Sequence, residues 1–151
     1  MTTRAAVVER PLDPAALAAE VASHGAGATL LFIGTVRELS DGRPVTGIDY
    51  RAYTAMAERE LTTIVSEAAS RFAAEAIVVE HRVGTLALGE ASVVIAVSHA
   101  RRGGAYDASR WVIEELKRRV PIWKLEHYAD GTREWVDPTA APHTALRGAG
   151  A

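Results

Sequence analysis

The sequence predicts an α+β fold, and two features of its patterning carry that prediction. Apolar residues switch repeatedly between the two-residue period of a strand and the 3.6-residue period of a helix. They do so in the order strand, helix, two strands, helix, two or three strands, helix, two strands. This is not the strand–helix alternation of a parallel sheet, so the strands are expected to pair mainly antiparallel, around three helices. At 151 residues and 48% hydrophobic composition, the chain has material for one core and not two.

"TRAAVVE" reads as a short first strand. "DPAALAAEVAS" follows as a helix, with Asp13 as N-cap, Pro14 at the first helical position, where its missing N–H costs nothing, and Gly25 as a stop. "ATLLFIGTVR" is apolar and β-rich until Arg37, which predicts a buried strand, and "ELSDGRP" is a polar turn carrying an Asp-Gly pair. "VTGIDYRAY" alternates less regularly as the next strand. From Thr54 to Phe72 the residues Met56, Leu61, Ile64, Val65, Ala68 and Phe72 recur at helical spacing. "AIVVEHRVGTLALGEASVVIAVSHA" supplies strands around Gly84 and Gly89. The third helix is expected over Gly104 to Arg119, with Ala108, Val112 and Leu116 on its core stripe and Pro121 enforcing its end. "PIWKLEHY" alternates as a strand, and "ADGT" turns the chain into "REWVDP". Residues 1–137 are expected to form the domain and residues 138–151 a loose C-terminal tail.

Several function classes are excluded by composition. A net charge of −2 gives no overall field for nucleic acid or an anionic membrane. No apolar run approaches the roughly 20 residues of a membrane helix, and "MTTRAAVVERPLDP" lacks the apolar region of a signal peptide, so a cytoplasmic protein is expected. The absence of cysteine removes disulfides, thiolate metal sites and a cysteine nucleophile; any sulfur chemistry needs sulfur brought by another molecule. The five histidines are scattered without metal-ligand spacing, and no metal or cofactor is expected. "HGAGATL" precedes a strand, whereas a dinucleotide fingerprint follows one, so its glycines read as a helix stop.

What remains is basic. Between Arg101 and Lys124 there are seven cations and three acids, and this segment holds Lys117 and Lys124, the only two lysines of a chain whose other fifteen cations are all arginine. Arg101 and Arg102 precede the helix, Lys117 lies near its end, and period two puts Lys124 with Glu126 on one strand face and Trp123 with Leu125 on the other, expected to be buried. Two readings stand side by side for each lysine. Lys117 is either a cation complementing a helix C-terminus or an amine in a pocket, and Lys124 is either part of a solvated strand face or a second member of that pocket. Arginine stays charged and forks onto phosphate, whereas a lysine crowded by cations such as Arg118 and Arg119 can release its proton and act as base or nucleophile. The chemistry suggested is an anionic, phosphorylated substrate held by arginines and worked on by an amine.

The stretches "FIGTVRELSDGRPVTGIDYRAYTAMAERE", "HRVGTLALGEASVVIAVSHARRGGAYDASRWVIEELKRRVPIWKLE" and "DGTREWV" resemble the large, catalytic subunit of molybdopterin synthase, in order from Leu31 to Val136. The resemblance implies an α/β-hammerhead fold and an enzyme that installs the two dithiolene sulfurs in a cyclic pyranopterin monophosphate. It implies a small ubiquitin-like partner whose C-terminal Gly-Gly carries the sulfur as a thiocarboxylate, and a homodimer within a heterotetramer. Carried onto matching positions, it gives Phe32, Arg37 and Arg102 as substrate contacts and Lys117 and Lys124 as catalytic residues. Where the family has Ala-His-Arg, this chain has Ala100-Arg101-Arg102 with a histidine at His99. Either Arg101 replaces the histidine as an anion contact or His99 reaches the same place from the strand end. Two other readings are kept: a non-catalytic α+β module that binds a phosphorylated metabolite, and a Schiff-base lysine enzyme acting on a phosphorylated carbonyl compound.

Overall fold

Residues 1–136 are described by a computed structural model; the expected domain boundary at residue 137 and the tail 138–151 lie outside the described residues. Strands β1 (Thr2–Val8), β5 (Ala76–Arg82), β7 (Ala91–His99) and β2 (Ala28–Thr35) lie side by side in that order, and only the β1–β5 pairing is parallel. A second sheet is built on β4 (Arg43–Ala52), which pairs β8 (Ile122–Tyr128) and through it β9 (Arg133–Val136); the short β3 (Leu39–Ser40) and β6 (Gly84–Ala87) also pair with β4. With helices α1 (Pro14–Val21), α2 (Thr54–Phe72) and α3 (Arg102–Arg119), the described residues form the expected α+β arrangement of three helices and mainly antiparallel strands.

The first sheet is covered on both faces, which is why β5 and β7 read as continuous apolar runs. Leu17 and Val21 of α1 pack on Ala76, Val78, Val94 and Ala96. On the other face Ile77, Val79, Ile95 and Val97 meet α2, α3 and the inner side of the second sheet, where Ile48, Tyr50, Leu86, Ile122 and Tyr128 are buried. Asp13 caps α1 as expected, its carboxylate accepting from the Ala16 N–H at 3.2 Å. Ala108, Val112 and Leu116 are the buried stripe of α3, which stops at Val120, the residue held extended before Pro121.

Four expectations are corrected. Strand β2 is not buried: it forms an edge of the first sheet, and Leu31, Phe32 and Ile33 are exposed. Met56 is also exposed, because α2 turns its core stripe through Ala57, Leu61, Ile64 and Val65. Helix α3 begins at Arg102, so the glycine pair lies inside its first turn. In β8 the buried face carries Ile122, Glu126 and Tyr128 with Lys124 among them, while Trp123 and Leu125 face the opposite way and stay half-exposed. A charged face can be the inner one here because Lys124 and Glu126 neutralise each other.

The glycines of "HGAGATL" and "RRGGAY" serve close packing. A Cβ on Gly27 would lie 2.5 Å from the Ala100 carbonyl oxygen. A Cβ on Gly104 would lie 2.2 Å from the His99 ring, and that ring cannot yield. Its Nε2–H donates to the Phe72 carbonyl at the end of α2 (2.6 Å), and its Nδ1 accepts from the Arg101 N–H (2.9 Å). His99 thus clamps the end of α2 to the start of α3 and has no nitrogen left for an anion. Gly104→Ala is therefore expected to destabilise the fold by about 1–3 kcal/mol through overpacking. Gly103→Ala, with nothing within 4 Å of its Cβ, is expected to stabilise it by about 0.5 kcal/mol. Equilibrium denaturation of the two variants checks both signs.

Candidate active site

Helix α3 ends and β8 begins within three residues, because Pro121 can neither continue the helix nor leave its neighbour helical. This sharp turn folds β8 back beside the last helical turn. Lys117 and Lys124 consequently face one cleft of about 120 Å³, walled by Phe32, Arg37, Ser40, Tyr50 and Glu126 among others. Four of the six expected site residues, Phe32, Arg37, Lys117 and Lys124, are thereby brought together.

The two amines are treated differently. Lys124 Nζ lies 2.9 Å from Oε2 of Glu126, a carboxylate only 2% exposed. That carboxylate also accepts from the Tyr128 hydroxyl at 2.7 Å and the Ser40 hydroxyl at 3.2 Å. Burial works to raise the Glu126 pKa, but Lys124 and the two hydroxyls outweigh it and hold the group below the ordinary carboxylate range. The Tyr128 ring is in turn covered by the Arg43 guanidinium at 3.5 Å. Lys117 has no ion-pair partner among the described residues. It keeps contact with solvent, yet desolvation by the surrounding protein is the first cause lowering its pKa, followed by the charges of Lys124 and Arg37. The expected crowding by Arg118 and Arg119 is not the cause: Arg118 pairs with Glu115, and Arg119 with Glu60, Glu67 and Glu115.

Arg101 and Arg102 do not line the cleft. They stand exposed at the N-terminal end of α3, and fifteen helical steps put Arg102 roughly 22 Å from Lys117 along the axis. Neither has an ion-pair partner among the described residues, and the first turn of α3 has no acid. Two cations at the positive end of a helix dipole are electrostatically unfavourable unless an anion joins them.

A sequence profile of the MoaE protein family matches residues 7–119. The chain belongs to that family. The molybdopterin synthase catalytic subunit of Emericella nidulans is 41% identical over 124 residues, which are 82% of this chain and 64% of the relative. The protein of that name from Halalkalibacterium halodurans is 42% identical over 88% of this chain and 85% of its own. The crystal structure of molybdopterin synthase from Staphylococcus aureus superposes with a TM-score of 0.81 at 32% identity, covering 87% of this chain and 95% of that one.

In this MoaE-family chain the site includes residues that were not singled out from sequence. Glu126, Tyr128 and Ser40 form the clamp on Lys124, and Tyr50 and His81 form the rear wall behind both lysines. Glu126 was legible in part, since period two puts it on the face of Lys124; His81 carried no signal beyond its place in "HRVG". His81 is 3% exposed, and burial, followed by the charge of Lys117, lowers its pKa to about 4. A histidine whose folded pKa is depressed lets the unfolded chain take up the proton first, so stability is lost as pH falls from the unfolded value near 6.5 toward 4. Between pH 7 and 4.5 His81 is expected to remove about 2 kcal/mol of unfolding free energy. Urea denaturation across that window checks this, and the loss should shrink in His81→Gln.

Proposed function

We propose that the protein is the large, catalytic subunit of a molybdopterin synthase, a sulfurtransferase that converts cyclic pyranopterin monophosphate to molybdopterin. The sulfur donor in this reading is the C-terminal Gly-Gly thiocarboxylate of a small ubiquitin-like subunit. The observation that carries it is the convergence of two unlike amines and Arg37 on one cleft in a chain with no sulfur nucleophile of its own. Each transfer forms a carbon–sulfur bond to the pterin side chain and expels an oxygen there. Water then cleaves the acyl–sulfur bond, leaving sulfur on the substrate and a carboxylate on the donor tail. Arg37 supplies a permanent cation for the phosphate, and Phe32 an aromatic face for the ring. Lys124, held in place by its ion pair with Glu126, stabilises developing negative charge on oxygen. Lys117, whose proton is loosened, carries protons to and from the reacting groups. A module that only senses a phosphorylated metabolite would need the arginines but not such an amine. A cytoplasmic location belongs to the same proposal; no helix among the described residues is long and apolar enough to cross a membrane.

The proposal includes a homodimer with one small subunit on each copy, a heterotetramer. Its support is the edge of β2, which presents unpaired backbone groups and the exposed side chains Leu31, Phe32 and Ile33. Ala28 at the start of β2 pairs with His99, so Arg101 and Arg102 follow closely at that end of the strand, while Arg37 lies just past the other. Antiparallel pairing of β2 with its counterpart brings the arginine pair of the second copy toward Arg37, which supplies the anion site that one copy leaves 22 Å away, roughly one helix length.

Lys117→Arg is expected to keep the fold and substrate binding but lose at least ~100-fold in single-turnover product formation with thiocarboxylated partner. Full activity in a folded Lys117→Arg protein would reduce the lysine to a charge. Arg102→Ala should weaken substrate binding more than Arg101→Ala. If sites draw on two copies, equal mixing and reassociation of Lys117→Arg and Arg102→Ala, assayed at a substrate concentration too low for Arg102→Ala alone to turn over, should restore about a quarter of wild-type activity, because every mixed dimer then holds one intact site. No recovery on mixing refutes the shared site.

A further inference from the structure

Behind the two lysines the cleft narrows to a small cavity of about 10 Å³, closed by Leu116, Val120 and Ile122. Three aliphatic side chains make an unusual backing for two amines, and only two neutral polar groups, the Tyr50 hydroxyl and the His81 imidazole, interrupt them. Tyr50 pairs with Lys124 across β4 and β8, and the His81 ring meets the Tyr50 ring edge-on at 5.2 Å and 71°. His81 is itself oriented: its Nδ1–H donates to the Arg82 carbonyl at 2.9 Å, which leaves Nε2 as an unprotonated acceptor. A volume of this size admits one water, and a buried water needs two to four polar partners.

We propose that His81 is a positioning residue for Lys117, a neutral acceptor that fixes the place of the lysine amine from behind through a single water site shared with Tyr50. The role rests on the sulfurtransferase reading for its consequence in catalysis, but not for its existence. Chemistry explains why the acceptor is an imidazole. A carboxylate in this place would favour the charged form of the amine, and Lys117 could no longer part with its proton. A purely aliphatic wall would leave the amine without direction. A buried imidazole gives direction without charge: burial, then the charge of Lys117, keeps it from protonating, while Lys124 on β8 and Arg37 after β2 act on Lys117.

The composition makes the test direct, because lysine labelled with 13C at Cε and 15N at Nζ gives signals from two residues only. Titrating the full chain by NMR, without substrate or partner, should show the Lys117 midpoint falling by roughly half to one pH unit in His81→Leu, which lacks the acceptor. His81→Gln, which restores a neutral acceptor, should return it toward the wild-type value. The reciprocal measurement leaves His81 in place: in Lys117→Met its imidazole pKa should rise, and its 15N shifts should report the Nδ1–H tautomer in the wild type. In single-turnover assays His81→Gln should retain more activity than His81→Leu at unchanged substrate affinity. A Lys117 midpoint unaltered in folded His81→Leu, or an Nε2–H tautomer in the wild type, overturns the assignment. Altered midpoints with no sulfur transfer by the wild type would instead leave the assignment standing and refute the function proposed above.

Discussion

The junction at Pro121 is the constraint on which the arrangement of this protein depends. The proline denies Val120 a helical conformation and cannot itself continue the helix, so α3 gives way to β8 without an intervening loop. A longer connection would let β8 slide or tilt relative to the helix. With none, the register of β8 on β4 and the end of α3 are fixed together, and two residues seven apart in sequence reach the same cleft from different elements. Both walls are anchored in a single core, in which Leu116 and Val120 from the helix side pack with Ile122 and Tyr50 from the sheet side.

Within that frame the protein makes two chemically identical side chains unlike. Lys124 belongs to a relay of contacts reaching from the surface inward, with Arg43 over Tyr128, Tyr128 and Ser40 on Glu126, and Glu126 on Lys124. A buried carboxylate so fully satisfied gives the neighbouring ammonium a fixed counter-charge. Lys117, which has no ion-pair partner among the described residues, is given cations and aliphatic neighbours in place of a counter-charge. The difference is one of environment alone, and it separates an amine with a counter-charge from one without.

Much of this was legible in the sequence. The helices, the cap at Asp13, the break at Pro121 and the fold class all follow from periodicity and turn chemistry. Strand β2 was misread as buried because an apolar run looks the same in a core strand and in an edge that awaits a partner. The inner face of β8 was misread because hydrophobicity favours Trp123 over Lys124, and only the presence of Glu126 on the same face reverses that choice. The strands β3 and β6 are too short to leave a pattern. Arg101 and Arg102 sit in the same basic segment as the lysines, yet a helix intervenes, and closeness in sequence becomes distance in space. His99 carries no sign in the sequence that both its nitrogens are taken by backbone.

The near-exclusion of lysine has a consequence for the protein's exposure to small electrophiles. Aldehydes, acyl phosphates and activated esters modify primary amines far more readily than guanidinium groups, and surface lysines ordinarily absorb most such damage. Here the positive charge of the outer surface is carried by arginine, and the chain's lysine amines are the two in the cleft. The one with the loosened proton is also the more nucleophilic. Among side chains, adventitious acylation or glycation is therefore concentrated in this cleft, with the exposed α-amino group as its competitor, so that occupancy of the cleft doubles as protection of both lysines.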